Sequence, residues 1–205
     1  MNNAADIRIE PIAGDAVHAF LGDLARLRMT VFREWPYLYD GDAASEEAYL
    51  AGFSRGQGAI IVAAFDGDEI VGAATGSPLQ EHTEEFGPLF HKHGHDPDDI
   101  FYCGESVLLA AYRGRGIGHA FFDHREQHAR TLNAAHGHRF KYSAFCGVVR
   151  DAGDPRAPTG YRPLDGFWEK RGYRKVDGLI GHYEWREIGE QHETRKDMQF
   201  WMRTL

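Results

Sequence analysis

A glycine-rich turn near the middle of the chain has the residue types that bind a phosphate group. Gly114, Gly116 and Gly118 stand two residues apart, with Arg113 and Arg115 beside them, after an apolar run and before a helical pattern. Glycines let the backbone bend so that several N–H groups face one point, and a helix that begins there adds unsatisfied N–H groups and the positive end of its dipole. The turn therefore predicts a phosphate site, to which a guanidinium adds charge-assisted hydrogen bonds.

Two common phosphate motifs do not fit this turn. No Gly-Lys-Ser/Thr is present, so it is not a P-loop. A dinucleotide fingerprint needs G-x-G-x-x-G in the first βαβ unit, whereas these glycines lie mid-chain with a different spacing. The alternative is a turn that merely joins a strand to a helix, and the strand–turn–helix context favours the phosphate site.

The histidines invite a second hypothesis, a metal-dependent enzyme. His91, His93 and His95 alternate beside several aspartates, and His124 and His128 stand one helical turn apart. Such a set could bind a metal. No HExxH motif and no cysteine partner accompanies it, so we predict solvated histidines and no metal site.

Composition narrows the class of protein. The chain has 205 residues, 42% of them hydrophobic, and a formal net charge of −8, which argues against a nucleic-acid partner. No secretory pattern and no run of about 18 apolar residues is visible, so we expect no membrane span. Cys103 and Cys146 are the only cysteines and form no CxxC, which suggests reduced thiols and a cytoplasmic location.

The elements that must position the turn follow from apolar periodicity. Residues 80–99 show neither the helical nor the strand spacing of apolar residues and are interpreted as a surface insertion with a function. The hairpin implies antiparallel pairing and the later alternation of strands with helices implies parallel pairing, so we predict a mixed α/β sheet in one domain, residues 1–205. The predicted elements are a strand at 7–12, a helix at 15–35, a hairpin of 59–65 and 70–74, a strand at 101–110, a helix at 117–135 capped by Gly137, a strand at 140–149, a short helix at 164–171, and closing strands at 180–188 and 198–205.

The turn also carries a resemblance to a known family. Arg113-x-x-Gly116-x-Gly118, after a strand and opening a helix, resembles the pyrophosphate motif of the GNAT superfamily of N-acetyltransferases. Residues 107–109 resemble that family's fourth strand, and residues 167–173 resemble its second signature, a short helix ending in Gly before an aromatic residue. The resemblance implies a mixed, mostly antiparallel sheet flanked by helices, whose parallel fourth and fifth strands splay apart to admit the pantetheine of acetyl-CoA.

Binding residues for the donor acetyl-CoA follow from this resemblance. It implies that backbone N–H groups of Leu108 and Leu109 hold the thioester. Trp168 is the candidate to pack against the pantetheine, and the alternative for it is a core aromatic residue. The resemblance implies no metal. The residues expected to cradle the pyrophosphate are Arg113, Gly114, Arg115, Gly116, Ile117 and Gly118.

The resemblance suggests catalytic residues as well. A lysine-type amine has a pKa of about 10.4, so its attack on the thioester is helped by a base. Glu105, in an apolar strand just before the donor-contacting residues, is our candidate; the alternative is a capping or solvent-facing carboxylate. Many family members protonate the CoA thiolate with a tyrosine where this chain has Trp168, which cannot act as an acid. Tyr173, or else Tyr102 or Tyr142, is the candidate substitute, although Tyr173 also suits a core position. The alternative is a thiolate that leaves without a proton donor.

The end of the first helix is rich in aromatic residues. In GNAT proteins the following loop commonly forms one wall of the acceptor site, so the resemblance suggests Glu34, Tyr37 and Tyr39 as acceptor-binding residues. Aromatic rings and carboxylates suit a cationic amine, whereas the alternative is a hydrophobic staple. We therefore predict an acetyl-CoA-dependent N-acetyltransferase acting on a small-molecule or peptide amine, as a monomer or a homodimer. The alternative function is a catalytically weak acyl-CoA sensor of the same fold.

Overall fold

Seven strands form one sheet in the computed structural model, which describes residues 7–12, 15–53 and 55–205. Their order across the sheet is β1-β2-β3-β4-β5-β7-β6. Only the β4–β5 pair is parallel, as predicted for a mixed, mostly antiparallel sheet. The strands are β1 (Arg8–Ile12), β2 (Ile60–Asp66), β3 (Glu69–Pro78), β4 (Ile100–Leu108), β5 (Tyr142–Val148), β6 (Arg174–Trp185) and β7 (Thr194–Thr204).

Helices cover both faces of this sheet. One face carries α1 and α3, with α2 packed on α1, and the other carries α4 and α5. The helices of the described residues are α1 (Asp15–Phe32), α2 (Ala43–Phe53), α3 (Thr83–Lys92), α4 (Ile117–His136) and α5 (Asp165–Lys170).

The sequence of the central hairpin shows no alternation of apolar and polar residues, because both faces of the hairpin are buried. On β2, Val62 and Ala64 pack toward α4, whereas Ile61 and Ala63 pack toward α1. A strand covered on both faces needs apolar residues at every position. The hairpin predicted from 59–65 and 70–74 is confirmed by the β2–β3 pairing.

Two helices were not predicted, and the interpretation of residues 80–99 as lacking helix is wrong. α3 occupies 83–92, and its Phe86 and Phe90 are buried one turn apart. Gly87 and Pro88 lie between them and obscure the helical pattern. α2 was missed for another reason: of its eleven residues only two are buried, so it has no apolar stripe to detect.

Several boundaries also differ from the prediction. α1 ends at Phe32 rather than at residue 35, before the chain turns at Pro36. β6 begins at Arg174 instead of residue 180, because its register with β7 slips between Lys175 and Ile180 and interrupts the alternation. The cap predicted at Gly137 is confirmed, since this residue ends α4 with a φ of 71°.

Candidate active site

The two parallel strands separate after a short stretch of pairing. β4 and β5 are paired only from Ile100↔Tyr142 to Tyr102↔Ala144, although the strands have nine and seven residues. Beyond that point β4 remains paired with β3, and β5 with β7. The sheet therefore opens between residues 103–108 of β4 and 145–148 of β5, an opening that we call the fork. Its presence confirms the predicted splaying of the fourth and fifth strands.

A β-bulge lies at the base of the fork. Thr75 pairs with Glu105 and Ser77 with Tyr102, so three steps on β4 oppose two on β3. Gly104 occupies this bulge, and a Cβ atom there would lie 2.8 Å from the Thr75 hydroxyl oxygen, which leaves no room for a side chain. The extra residue brings the side chains of Tyr102 and Glu105 to the same face of the sheet, the face of α1 and α3.

Backbone donors of β4 face the fork beyond the bulge. The Leu109 N–H donates to the Val71 carbonyl of β3 at 3.0 Å. Because successive N–H groups of a paired strand point to alternate sides, those of Leu108 and Ser106 point away from β3 and into the fork. Of the two N–H groups expected to hold a thioester, that of Leu108 thus faces the fork, whereas that of Leu109 is used in pairing with β3.

The glycine turn lies at the mouth of the fork and leads into α4. Gly114 and Gly116 have φ angles of 77° and 84°, in the left-handed region. No side chain within the described residues caps the first turn of α4, and the N–H groups of His119 and Ala120 bond back to the Gly116 carbonyl. Those at the very start of the helix have no intrahelical acceptor, so this exposed turn offers free backbone donors, and its role as the pyrophosphate site stays a prediction.

The arginine side chains of the turn contact the protein itself. Arg113 pairs with Glu34 at 2.8 Å and also donates to the Leu108 carbonyl at 3.2 Å. Arg115 donates to the Ala111 carbonyl at 3.0 Å. The structure thus brings together a predicted phosphate ligand and a predicted acceptor residue, and a pyrophosphate would compete with Glu34 for Arg113.

Glu105 belongs to a buried ionic cluster on the α1 face. The Arg28 guanidinium pairs with both Glu105 and Glu46, whose side chains are 9% and 3% exposed. Arg28 also lies over the Tyr49 ring, 4.5 Å from its centroid. The Tyr39 hydroxyl is hydrogen-bonded to Glu46, and burial together with this carboxylate raises the pKa of Tyr39. Two carboxylates share one guanidinium here, so the cluster has capacity for a further positive charge.

Sequence reasoning missed Arg28 and Glu46, which connect Glu105 to Tyr39. A signal for Arg28 was present: it stands on the apolar stripe of α1, one position after Leu27 and four after Leu24. A charged residue on a buried helix face requires a partner, and here the partners lie on α2 and β4.

Tyr173 lies on the other side of the sheet, within the core against α4. Its side chain is fully buried, and its hydroxyl contacts Ser143 Oγ at 2.8 Å and donates to Glu126 Oε1 at 3.1 Å. Burial raises the pKa of Tyr173 well above its usual value. The structure does not bring Tyr173 together with Glu105, and its contacts favour a structural role.

Of the other tyrosines, Tyr102 lies closest to the base of the fork. Its hydroxyl is 3.2 Å from the Cys146 sulfur and 3.4 Å from the Tyr183 hydroxyl. Cys146 stands two residues beyond the last paired position of β5. Tyr142, in contrast, lies at the closed end of the β4–β5 pair.

Trp168 covers β5 along the fork. Its ring packs against Phe145 and Trp201, with centroid distances of 4.9 and 5.1 Å. A Cβ atom on Gly147 would lie 3.1 Å from this ring, so the tryptophan rests directly on the strand. Trp168 thus lies beside the open edge of β5, and its contact with a pantetheine stays a prediction.

The segment after α1 is tied to the β6–β7 loop. Tyr39 forms an isolated bridge with Glu187, and the Ile188 N–H donates to the Leu38 carbonyl at 2.8 Å. The Tyr37 ring packs 5.9 Å from that of Trp185, whose indole N–H donates to the Tyr37 carbonyl. The three predicted acceptor residues therefore lie in different surroundings. Tyr39 contacts the Glu105 cluster, Glu34 contacts the glycine turn, and Tyr37 packs against the core.

The described part of the chain shows no metal site and no membrane span. Within it, no three His, Cys, Asp or Glu side chains are placed to hold a metal ion. Of the histidines considered as metal ligands, His93 contacts the Leu89 carbonyl at 2.9 Å, and the His95 ring packs 5.7 Å from that of Tyr142. None of the helices in these residues is both long enough and apolar enough to cross a bilayer.

Solved structures share this architecture. Arabidopsis thaliana NAA60, determined with acetyl-CoA and with a bisubstrate analogue, is 15% identical, with a TM-score of 0.61 over 98% of this chain and 99% of that one. An aminoglycoside 6'-N-acetyltransferase complexed with coenzyme A is 19% identical, with a TM-score of 0.59 over 96% of each chain. An acetyltransferase from Streptococcus agalactiae is 13% identical, with a TM-score of 0.59 over 97% of this chain and 98% of that one.

At these identities the structures show a common fold, and sequence comparison supplies the family. No protein of curated function matches the sequence. The model of the Acetyltransferase (GNAT) family matches residues 23–140, more than half of the chain, and includes β4, the bulge and the glycine turn. The chain belongs to the GNAT family of acetyltransferases.

Proposed function

We propose that this protein transfers an acetyl group from acetyl-CoA directly to a primary amine. The observation that carries the proposal is the fork, which has backbone donors on its β4 edge, the glycine turn at its mouth and a carboxylate on its far face. Two structural neighbours of this protein were determined with acetyl-CoA or coenzyme A bound. A channel that admits pantetheine from one face and an amine from the other is suited to direct transfer.

Donor binding would use the mouth and the β4 edge of the fork. The pyrophosphate would lie on the glycine turn, with Arg113 released from Glu34 to contact it. The pantetheine would lie along the open edge of β4, covered by Trp168 from the β5 side. The Leu108 N–H would then hydrogen-bond to the donor within the fork.

The chemical step would take place near the bulge. The ammonium group first gives one proton to Glu105. The neutral amine nitrogen then attacks the thioester carbonyl carbon, the carbonyl oxygen becomes an oxyanion, and the nitrogen releases its second proton to solvent once the C–N bond has formed. The C–S bond then breaks, which gives the N-acetylated product and a CoA thiolate that takes up a proton. Holding the two reactants in register supplies much of the rate gain, and backbone N–H groups stabilise the oxyanion.

Tyr102 would donate the proton that the CoA thiolate takes up. Its hydroxyl lies at the base of the fork beside Cys146, on the same face as Glu105. Burial, with Cys146 and Tyr183 nearby, raises the pKa of Tyr102, so this hydroxyl carries its proton at neutral pH. Tyr183 is within reach to return that proton.

The acceptor would be a cationic amine, either a small molecule or a peptide. The cluster of Arg28, Glu46 and Glu105 holds two carboxylates for one guanidinium, and Tyr39 and Tyr49 add aromatic rings beside it. An entering ammonium group would supply the missing positive charge before Glu105 takes its proton. We expect this reaction in the cytoplasm, without nucleic acid, membrane or metal, and sedimentation would decide between a monomer and a homodimer.

Thermal unfolding with acetyl-CoA tests the donor site, with ATP and NAD as controls. Ligand at 100 times its Kd adds ~2.7 kcal/mol to the free energy of unfolding. For a chain of this size we expect a rise in Tm of roughly 5–10 °C with CoA compounds alone. An amine panel read by release of the CoA thiol then tests transfer. Equal shifts with ATP and acetyl-CoA, or no shift, would contradict the proposal.

A second candidate function is an acyl-CoA sensor with little turnover. The observation behind it is Trp168, which stands where many family members have the tyrosine that protonates the thiolate. The sensor hypothesis predicts tight acetyl-CoA binding and no thiol release with any amine of a broad panel. Steady turnover with one amine would eliminate it.

A further inference from the structure

Behind the β4 bulge, on the face opposite Glu105's side chain, lies a buried arginine. Arg125 of α4 is 1% exposed. One nitrogen of its guanidinium, Nη1, donates to the Glu105 carbonyl at 2.8 Å and to the Thr75 carbonyl at 3.2 Å. Thr75 and Glu105 are the pair that borders the bulge. A single side chain thus satisfies two backbone carbonyls where the register of the ladder slips.

Among the side chains that the structure describes, none is a carboxylate partner for the positive charge of Arg125. No ion pair within 4 Å involves it among the described side chains, and its Nη2 is buried without a hydrogen bond there. The adjacent Glu126 pairs instead with Arg171 and Arg203. A buried, unpaired guanidinium is costly for a fold, so retaining one next to the fork calls for an explanation in its surroundings.

The peptide that joins Glu105 to Ser106 connects the Arg125 contact with the fork. In a trans peptide the carbonyl and the following N–H point to opposite sides. The Glu105 carbonyl is held by Arg125, and the Ser106 N–H therefore points into the fork, in agreement with the alternation along β4. A hydrogen bond to the carbonyl end of a peptide strengthens the donor at its other end. Ser106 is exposed, as expected beside an open channel.

We propose that Arg125 is a positioning residue for acetyl transfer: it fixes and polarises the Ser106 N–H as a donor to the thioester oxygen. The inference rests on the proposed function, because it assumes that the thioester lies at the base of the fork. The unpaired charge of Arg125 would act on the oxyanion through the Glu105–Ser106 peptide, while Arg28 holds the Glu105 side chain from the opposite face.

Isotope-edited infrared spectroscopy of bound acetyl-CoA tests this role without any acceptor. A carbonyl labelled with ¹³C absorbs at lower frequency when its oxygen accepts stronger hydrogen bonds. We expect the band of the bound thioester to move back toward its free position in Arg125→Met, with at least about a tenfold loss in kcat and little change in the Kd of acetyl-CoA. A wild-type frequency and kcat in this variant would overturn the proposal.

Arg171→Met is a matched control for loss of packing. Arg125 and Arg171 lie over the same Phe122 ring, at 4.6 and 5.1 Å, but the hydrogen bonds of Arg171 run to α4 rather than to the bulge. We expect Arg171→Met to lose stability and keep the carbonyl frequency. If the frequency changes as much in Arg171→Met as in Arg125→Met, the effect is general loosening and the proposal is wrong.

Arg125→Lys keeps the inference testable if Arg125→Met does not fold. An ammonium must serve the two carbonyls from a different position, so we expect an intermediate frequency and an intermediate kcat. An unchanged frequency in Arg125→Lys would then overturn the proposal. Failure of the proposed function has another signature: the wild-type protein would show no bound carbonyl band at all, which overturns both inferences together.

Discussion

Two carboxylates contact the same guanidinium, yet only one of them lies on the strand that borders the fork. Glu105 is on β4 at the bulge, whereas Glu46 is on α2, and Arg28 pairs with both. Removal of either carboxylate leaves Arg28 with one remaining ionic partner. The two positions therefore separate a chemical role at the fork from a contribution to the buried ionic cluster.

We expect Glu105→Gln to lower kcat about 100-fold, since a general base contributes on the order of 10²–10⁴ in rate. The Kd of acetyl-CoA should change little, because the Glu105 side chain lies on the face of α1 and the donor enters from the other. Glu46→Gln is the matched control, with a much smaller expected loss in kcat. Both are measured by steady-state release of the CoA thiol and by titration calorimetry. Wild-type turnover in Glu105→Gln would remove Glu105 from the mechanism, and equal losses in both variants would assign the effect to the cluster as a whole.

Among single residues, the sequence pointed to those whose role depends on neighbours in the chain. It did not point to those whose role depends on residues that are distant in sequence. The glycine turn and Glu105 were recognisable because strand, turn and helix follow one another directly. Arg28 and Arg125 contact Glu46 and Glu105 across 18 and 20 residues of sequence, and no local pattern gives those distances. What could be predicted is that each arginine stands on the apolar stripe of its helix and needs a buried partner.

Among the elements, α4 offers the sharpest test because it begins and ends with a glycine of the same conformation. Gly116 and Gly137 have φ angles of 84° and 71°, and a Cβ atom on either would meet nothing within 4 Å. Substitution by alanine therefore introduces left-handed strain without a clash, which costs about 1–2 kcal/mol at each site. Only Gly116, however, lies in the turn that is predicted to hold the pyrophosphate.

We expect Gly116→Ala and Gly137→Ala to lower the free energy of unfolding by similar amounts, and only Gly116→Ala to weaken acetyl-CoA binding. Relief of strain at residue 116 would turn backbone N–H groups away from the phosphate, whereas the far end of α4 has no such task. Urea unfolding gives the stabilities and calorimetry gives the Kd values. Retained affinity in Gly116→Ala, or an equal loss in both variants, would contradict the assignment of the turn.

The predicted elements differ in how much of their structure is encoded locally. The β2–β3 hairpin and α4 were predictable because the first has a short Asp-Gly turn and the second a clear apolar spacing. α3 is stabilised by Phe86 and Phe90 packing against Phe200 of β7, a contact across more than 100 residues. Its sequence, with an internal Pro88, gives little reason for a helix without that contact.

For the whole molecule, two histidines couple folding to pH. Burial lowers the pKa of His82 and of His128 below the usual value. His82 contacts Ser77 Oγ at 3.0 Å, and His128 contacts the Gly58 carbonyl at 3.0 Å. At these two residues the unfolded chain binds more protons than the folded one between the lowered pKa values and about 6.5, so we expect their contribution to stability to fall as pH decreases through that interval.

The double variant His82→Gln, His128→Gln should therefore lose less stability between pH 7.5 and pH 5.5 than the wild-type protein does. Comparing each protein with itself at the two pH values cancels any constant loss of packing or hydrogen bonding that the substitutions cause. His192→Gln, an exposed position in the β6–β7 loop, is the control and should follow the wild-type protein. Urea midpoints at both pH values measure the difference. If the double variant and the wild-type protein lose equal stability, the two buried histidines are not the groups that couple folding to pH in this interval, and acid sensitivity must come from other side chains.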